Sequence, residues 1–380
     1  MRLRKGQNRR RSHKMRRKKD ARTNSMRRGM LGRIVAVLVA LVAMAEAPVV
    51  SAGPALLFDV ADGRILYMED QDNQWHPASL TKVMTAFVVF EALKEGKLTL
   101  ETKIACSRHA SSQPPTKVGL AVGAQMSVET ALRALIIQSA NDVAVMLAEA
   151  VAGSHEAFVG RMNATAARLG MTRTKFVNAN GLPDAEQVTT ARDLARLATA
   201  VVRDYPSHAR LWSMLDMHIG KRHFGTFNGL LVNYAGADGM KTGFTCDSGF
   251  NVVASATREG HKLIAVVLGE NTGGQRSLRA SSLLEHGFQI YGWKALFPSE
   301  SIDTLPIAVN AKGPTSIRQT VISWVCGTAR RAVAKLSRKK GQAATEGEGD
   351  ETTARHQKKG PTNRTKSTAI TKASSDWQPW

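Results

Sequence analysis

Three short motifs of hydroxyl, amine and amide side chains occur in order along this 380-residue chain: Ser79-Leu-Thr-Lys82, Ser139-Ala-Asn141 and Lys241-Thr242-Gly243. Each is common by chance, so its surroundings decide its meaning. Ser79 follows a proline-alanine pair and opens an apolar helix, where backbone N–H groups converge. Lys82 lies three residues further along the same helix face, within hydrogen-bond reach of that hydroxyl. The first motif therefore predicts a serine nucleophile beside a lysine.

The surroundings of Lys82 favour a neutral amine. It is the only charged residue between Ser79 and Phe90, so we expect its ammonium to be partly desolvated. Desolvation lowers the pKa of a lysine and makes the amine available as a general base. Lys241 is the candidate for a second nearby cation, which would lower the pKa of Lys82 further.

The other two motifs supply groups that could hold a substrate. Lys241 and Thr242 are predicted at the start of a strand, where Gly243 leaves room for an extended ligand to pair with the strand edge. An ammonium and a hydroxyl at that place would bind a free carboxylate. Ser139 and Asn141 are predicted in a non-helical gap between two helices. From there the hydroxyl could relay a proton to a leaving amine, and the amide could orient a peptide bond.

The hydrophobic pattern predicts the elements that position these motifs. The segments ALLFDV and ILYME flank turn residues and predict a β-hairpin. Helices are predicted over residues 80–93, 128–137, 142–151, 154–169, 190–202 and 275–289, and strands over 240–244, 250–256 and 262–268. A hairpin, then helices, then strands and a last helix predict an α+β fold. This is an α/β sandwich in which helices surround an antiparallel sheet.

Three stretches around the motifs closely resemble the serine-type D-alanyl-D-alanine carboxypeptidases, the low-molecular-weight penicillin-binding proteins of peptidase family S11. They read ASLTKVMTAFVVFEALKEG, SANDVAVMLAEAVAGSHEAFVGRMNATAARLGMTRTKFVNANGLPD and DGMKTGFTCDSGFNVVASATR. The resemblance extends from about Ala55 to Tyr291. It implies the transpeptidase fold shared by penicillin-binding proteins and β-lactamases. It also implies removal of the terminal D-alanine from peptidoglycan stem pentapeptides ending in D-Ala-D-Ala, through an acyl-enzyme that β-lactam antibiotics can also form.

The resemblance also implies roles for individual residues. These are Ser79 as acyl-forming nucleophile, Lys82 as proton acceptor, Ser139 as proton shuttle, Asn141 as ligand of the substrate amide, Lys241 and Thr242 beside Gly243 as the carboxylate site, and the backbone N–H groups of Ser79 and Phe244 as oxyanion hole. No metal or organic cofactor is implied. Many relatives carry a β-rich second domain, whereas here fewer than twenty residues separate Phe297 from a predicted helix at Thr315.

Positive charge is concentrated at the two ends of the chain. Residues 1–45 contain fifteen lysines and arginines against one acid, and residues 330–380 contain twelve against five. The body between them has 26 basic and 25 acidic residues, so it lacks the basic stripe of a nucleic-acid-binding domain. Three widely spaced cysteines without a CxxC pair predict neither a disulfide framework nor a metal site.

The ends of the chain are predicted to direct its location. Residues 1–52 are predicted to be a basic n-region and signal peptide, or an uncleaved anchor, with the apolar run 34–45 as the h-region. Residues 53–297 form the predicted catalytic domain, 298–340 a short extension with an amphipathic basic helix, and 341–380 a disordered tail. We expect an exported, periplasmic protein. Residues 315–340 are expected to contact the outer face of the inner membrane, the alternative being a final helix packed on the catalytic domain.

A class A-like β-lactamase is the alternative enzyme, because it uses the same three motifs. Its rapid deacylation needs a water activated by a glutamate on the loop between the second and third motifs. Here that stretch reads KFVNANGLPD, and its nearest glutamate is Glu186. A cell-wall scaffold with a decayed site is also disfavoured, because every catalytic side chain is present. The sequence therefore favours the carboxypeptidase.

Overall fold

The structure is a computed structural model, and it describes residues 53–294 and 300–321. Its strands are β1 (Ala55–Asp59), β2 (Ile65–Glu69), β3 (Lys103–Ala105), β4 (Gln125–Ser127), β5 (Asp216–Ile219), β6 (Arg222–Gly225), β7 (Ala237–Thr245), β8 (Gly249–Arg258) and β9 (His261–Glu270). Its helices are α1 (Thr81–Lys94), α2 (Arg108–Ser112), α3 (Val128–Ile137), α4 (Asn141–Ala152), α5 (His155–Arg168), α6 (Ala191–Asp204), α7 (Ala209–Trp212), α8 (Leu230–Asn233), α9 (Gly273–Lys294) and α10 (Arg318–Val321).

Five strands form one antiparallel sheet in the order β2-β1-β9-β8-β7. Strand β7, which carries the third motif, therefore lies at an edge, and within the described residues it pairs only with β8. Helices surround the sheet, as the α+β prediction requires. Two further antiparallel strand pairs, β3–β4 and β5–β6, were not predicted, because strands of three or four residues are too short to show an alternating pattern.

Both faces of the sheet are covered, because the side chains of each strand alternate between two cores. In β1, Leu56 and Phe58 face the larger core, which also contains most of α1. Ala55 and Leu57 face the smaller core, which is closed by α9. Strands buried on both faces read as continuous apolar runs rather than as alternating ones. This is why the sheet was recognisable from runs such as ALLFDV.

Several of the helices begin directly after a residue whose hydroxyl caps them. Ser127, Ser154 and Thr190 precede α3, α5 and α6, and each hydroxyl accepts a hydrogen bond from the backbone N–H three residues further on. The six predicted helices within residues 53–294 are confirmed: α3 has the predicted bounds, and the ends of the other five shift by one to five residues. Helix α1 is buried on nearly all sides, because most of its residues are apolar, so it is a central element rather than an amphipathic one.

Residues 300–321, here called the arm, run back along the catalytic domain. Gln74 N–H donates to Lys312 O (3.0 Å), and Ile317 N–H donates to Asp247 O (3.1 Å). Within the described residues, the helix predicted from Thr315 begins three residues later, at Arg318, and is described as far as Val321, which is fully buried. The rest of that predicted helix, the signal segment and the tail lie outside the described residues.

A buried ion pair fixes the arm to the domain. Asp72 accepts two hydrogen bonds from Arg192, at 2.7 and 2.8 Å, and both side chains are 2% exposed. Arg192 also donates to the arm carbonyls of Leu305 and Pro306, and Ala308 N–H donates back to Asp72 (3.0 Å). The pair therefore satisfies backbone groups of the arm as well as its own charges.

Replacing Asp72 by alanine should lower the free energy of unfolding by about 3–5 kcal/mol, because it leaves the buried Arg192 charge unpaired. The matched control is Glu129→Ala, which breaks an exposed i,i+4 pair with Arg133 and should cost less than about 1 kcal/mol. Urea unfolding of both variants measures the difference. Equal losses would show that the Asp72 pair adds nothing beyond a surface contact.

No single helix within residues 53–294 and 300–321 is both long and apolar enough to cross a bilayer. Helices α4 and α5 are long and apolar enough only when they are taken together, and they meet at an angle of 83°. The same residues contain no cluster of three or more His, Cys, Asp or Glu side chains suited to a metal ion.

Candidate active site

The nucleophile segment lies where two glycines allow close backbone contact. Ser79 sits in a 3-10 turn, Ala78–Leu80, that leads directly into α1. A Cβ on Gly243 of β7 would lie 3.0 Å from Ser79 N, and a Cβ on Gly181 would lie 1.9 Å from Ala78 O. Gly181 also has a φ of +82°. Both positions therefore require glycine if the strand and the loop are to reach the turn.

Lys82 is completely buried and has three partners. Its Nζ lies 3.0 Å from Ser79 Oγ, 2.7 Å from Asn141 Oδ1 and 2.5 Å from the backbone carbonyl of Asn180. A neutral amine has two N–H donors and one lone pair. It can donate to the two fixed acceptors, Asn141 and Asn180, and accept a hydrogen bond from the Ser79 hydroxyl. The geometry thus suits a base that removes the proton of Ser79.

Electrostatics in the site also favour the neutral form of Lys82. Burial, and then the positive charge of Lys241, hold the pKa of Lys82 well below its usual range, and Asp142 opposes them. Burial, with a smaller effect from Arg276, lowers the pKa of Lys241 to about 7. The predicted influence of Lys241 on Lys82 is therefore present, and burial is the larger cause.

Ser139 lies in the gap between α3 and α4, as predicted. Its backbone has a φ of +58°, a left-handed conformation that a serine rarely adopts. Its Oγ is buried and makes no hydrogen bond with any residue that the structure describes. A hydroxyl without a fixed partner, lining the same cleft as Ser79, is free to exchange a proton with a bound substrate.

The predicted position of Asn141 was wrong, because it is the first residue of α4 rather than part of the gap. Its side chain is largely engaged: Oδ1 accepts from Lys82, and Nδ2 donates to Pro114 O at 3.0 Å. One amide hydrogen remains for a substrate. The next residue, Asp142, accepts from Val118 N–H (3.0 Å) and Gly119 N–H (2.7 Å), which fixes the loop above Ser139.

The sequence predicted the third motif at the start of a strand. This was wrong, because the motif lies in the middle of β7. Strand β7 begins four residues earlier, at Ala237, because it pairs with the long strand β8. Lys241 and Thr242 are buried, and Lys241 Nζ donates to Thr242 O at 3.1 Å. The rings of Phe244 and Phe250 pack together at a tilt of 31°, with centroids 4.2 Å apart. Thr242, Gly243 and Phe244 all line the cleft in front of Ser79.

The sequence missed the loop that presents the Asn180 carbonyl to Lys82. Gln187 Oε1 accepts from the N–H groups of Val177 (2.8 Å) and Asn178 (2.9 Å), and His155 Nε2 accepts from Ala179 N–H (3.2 Å). These contacts hold the carbonyl in place. No side-chain motif marks a backbone acceptor, so the glycine of NANGLPD was the only available signal.

The sequence also missed Arg276, on the first turns of α9. It is 8% exposed, lines the cleft, and its Nε makes no hydrogen bond with a described residue. Burial lowers the pKa of its guanidinium to about 10, so the group is charged at neutral pH. Arg276 and Thr242 both line this cleft, about 250 Å³ in volume, and a guanidinium with a hydroxyl suits a carboxylate. Lys241 is buried and interacts electrostatically with Arg276, but it does not line the cleft itself.

Replacing Lys241 by glutamine should raise KM for a substrate with a free terminal carboxylate by about 10- to 100-fold, because a charge-assisted hydrogen bond is lost. It should also move the acid limb of acylation to higher pH. Acylation needs neutral Lys82, and removing the Lys241 charge takes away one cause of its low pKa. The pH profile of penicillin acylation measures this shift.

The control is Lys262→Gln, which removes a lysine of the same sheet that pairs with Asp238. That variant should leave the acid limb in place. An unchanged limb in Lys241→Gln would show that the two lysines do not interact. Equal KM changes for carboxylate and amidated substrates would show that Lys241 does not bind the carboxylate.

Comparison with known proteins places this arrangement in a family. Residues 41–272 match the family model described as D-alanyl-D-alanine carboxypeptidase, Peptidase_S11. The chain is 39% identical over 253 residues to D-alanyl-D-alanine carboxypeptidase DacC of Escherichia coli, covering 65% of this chain and 63% of that protein. The chain spans 62–64% of the length of the first curated relatives it matches, which is less than two thirds.

Solved structures show the same fold. Penicillin-binding protein 5 of Haemophilus influenzae is 36% identical, with a TM-score of 0.62 over 64% of this chain and 72% of that one. Penicillin-binding protein D2 of Listeria monocytogenes, solved in a cefotaxime-bound form, is 32% identical, with a TM-score of 0.57 over 62% of this chain and 97% of that one. With its three motifs gathered around one cleft in this fold, the chain belongs to the D-alanyl-D-alanine carboxypeptidase family S11.

Proposed function

We propose that the chain is a serine-type D-Ala-D-Ala carboxypeptidase that removes the terminal D-alanine from peptidoglycan stem pentapeptides. The observation that carries this proposal is the environment of Lys82. It is wholly buried and has two fixed acceptors, and its third contact is Ser79 Oγ at 3.0 Å. Such an amine can serve as a base at neutral pH. The cationic end of the cleft supplies the carboxylate specificity that a carboxypeptidase needs.

Acylation follows from this geometry. Ser79 Oγ attacks the carbonyl carbon of the penultimate D-alanine while its proton passes to Lys82 Nζ. The N–H groups of Ser79 and Phe244 stabilise the developing oxyanion, and donors of this kind typically contribute about 10²–10³-fold in rate. Lys241, Thr242 and Arg276 hold the terminal carboxylate, so the scissile carbonyl is positioned before attack.

Departure of the terminal D-alanine requires a proton on its nitrogen. Ser139 supports this step, because its buried Oγ makes no other hydrogen bond within the described residues and lines the same cleft. Lys82 returns the proton through Ser139, and the C–N bond breaks. A water then attacks the ester of Ser79 with Lys82 again as base. This releases the tetrapeptide and restores the free serine.

No observation favours the β-lactamase alternative. The loop of residues 177–187 presents the carbonyl of Asn180, and not a carboxylate, to Lys82. The carboxylate of Glu186 is exposed and is bound by Lys175 at 2.8 Å. A penicillin ester on Ser79 would therefore lack the glutamate-activated water on which rapid deacylation depends.

The two enzymes are distinguished by incubating the protein with a stem pentapeptide and, separately, with benzylpenicillin. The carboxypeptidase should release D-alanine from the peptide and should keep a covalent penicillin adduct for minutes or longer. Rapid turnover of penicillin without D-alanine release would instead indicate a β-lactamase. If the protein carries out neither reaction, the site is not catalytic.

We also propose that the protein is exported and acts in the periplasm, on the basis of the apolar run 34–45. Contact with the inner membrane would fall to the basic part of residues 315–340. Because Ile317 and Val321 pack on the domain, lipid contact is assigned to residues after 321. Flotation with anionic liposomes, with and without residues 322–380, tests this. Binding that does not depend on this segment would contradict it.

A further inference from the structure

A second cavity adjoins the catalytic cleft on the other side of the nucleophile. It has a volume of about 290 Å³ and is here called the acyl-side pocket. Its walls are formed by the chain before Ser79, by the loop 181–187 and by the end of β7: His76, Pro77, Ala78, Gly181, Leu182, Pro183, Asp184, Ala185, Gln187, Thr245 and Asp247. Gly181, Leu182 and Thr245 line both cavities, so the two are adjacent.

The carboxylate-binding groups fix the direction of a bound peptide. Thr242 and Arg276 line only the first cleft, so the departing residue lies there. A peptide paired with β7 advances about 3.3 Å per residue, as the strand does. The residues upstream of the acyl carbonyl therefore pass Thr245 and reach Asp247, in the acyl-side pocket. This step rests on the function proposed above.

The arm holds the far wall of this pocket. Ser316 Oγ donates to Asp247 Oδ1 (2.9 Å), and Arg318 Nη1 donates to Asp247 Oδ2 (3.2 Å). The backbone N–H of Ile317 donates to Asp247 O (3.1 Å). The Ile317 side chain also lies against Gly249, where an added Cβ would come within 2.4 Å of it. Three consecutive residues of the arm thus contact one turn at the end of the substrate-binding strand. Cys246 in that turn is also disulfide-bonded, a bridge that the cysteine spacing did not predict.

We propose that Ser316 and Arg318 are positioning residues for the acyl side of the substrate. They act through Asp247 and set the enzyme's preference for peptides that extend at least two residues upstream of D-Ala-D-Ala. They lie outside the catalytic groups, and their own side chains are exposed. Their removal should therefore loosen the pocket wall without disturbing Ser79 or Lys82.

The test compares two substrates on the full chain: acetyl-D-Ala-D-Ala, which is too short to reach Asp247, and the pentapeptide L-Ala-γ-D-Glu-L-Lys-D-Ala-D-Ala. In the Ser316→Ala/Arg318→Ala variant, KM for the pentapeptide should rise about threefold to fivefold with kcat unchanged, as expected for the loss of partly exposed polar contacts. KM for acetyl-D-Ala-D-Ala should change less than twofold. The single variant Arg318→Lys keeps a cation beside Asp247, so its KM for the pentapeptide should rise less than that of the double alanine variant.

Arg203→Ala is the matched control, because Arg203 is also exposed and paired with an aspartate, Asp204, on another part of the domain. This variant should leave KM and kcat unchanged for both substrates. Equal changes on the two substrates, or none on either, would overturn the role of the arm while the wild-type enzyme still released D-alanine. Absence of D-alanine release by the wild type would overturn the proposed function, and this inference with it.

Discussion

Replacing Ser79 by alanine should abolish the release of D-alanine from a stem pentapeptide, with a loss of at least about 10⁴-fold. The reason is that no other hydroxyl contacts Lys82 within the described residues. Lys82→Ala should cause a loss of similar size, because nucleophile and base act as one unit. The double variant should be no worse than either single one.

The measurement is single-turnover D-alanine release, with Lys97→Ala as control. Lys97 is an exposed lysine that pairs with Glu95, and its loss should leave the rate unchanged. If the loss of rate in the double variant equals the product of the two single losses, Ser79 and Lys82 act independently. A loss in Ser79→Ala much smaller than about 10⁴-fold would place the nucleophile elsewhere.

Replacing Gly181 by alanine should lower the rate of penicillin acylation about 100-fold. Its Cβ would lie 1.9 Å from Ala78 O, so backbone must move away from backbone. That movement shifts the Asn180 carbonyl from Lys82, or the Ser79 turn from β7. Misplacement of a reacting group by about 1 Å can cost this much.

Gly153 provides the control for this variant. It also has a left-handed φ, +80°, but an added Cβ there meets nothing within 4 Å. Gly153→Ala therefore carries the backbone strain without the collision and should keep its acylation rate. Thermal unfolding shows whether both variants are folded. Normal acylation by a folded Gly181→Ala enzyme would contradict the assigned position of the loop.

The local parts of the site could be predicted from the sequence. Ser79 and Lys82 are three residues apart on one helical segment, so helix geometry alone brings them together. The starts of α3 and α5 are local in the same way, because the hydroxyls of Ser127 and Ser154 each cap a backbone N–H three residues further on. The apolar runs identified the sheet and its last helix. These features depend on neighbours in the chain.

The parts that were missed depend on distant residues. The Asn180 carbonyl reaches Lys82 across 98 positions of the chain and has no side-chain signature. Arg276 enters the cleft only because α9 begins beside Phe250. Lys241 was placed at a strand start because the polar segment before it hides the pairing of β7 with β8. Tertiary contact overrode the local pattern in each case.

Two residues of the site hold backbone conformations that only the surrounding fold can impose. Ala78 has a φ of +49° and Ser139 a φ of +58°, and neither is glycine. Such conformations cost of order 1–3 kcal/mol each and persist where the structure around them holds them. Here they direct Ser79 and the Ser139 hydroxyl into one cleft, which no propensity argument could have anticipated.

The central claim is that Ser79 forms the acyl-enzyme on the route to D-alanine release. Peptide mapping after partial labelling with benzylpenicillin tests it most directly when D-alanine release is assayed on the same samples. We expect one penicilloyl group, on the peptide containing Ser79, and a release rate that falls in proportion to the labelled fraction. A label on another residue, or full release by fully labelled protein, would contradict the claim.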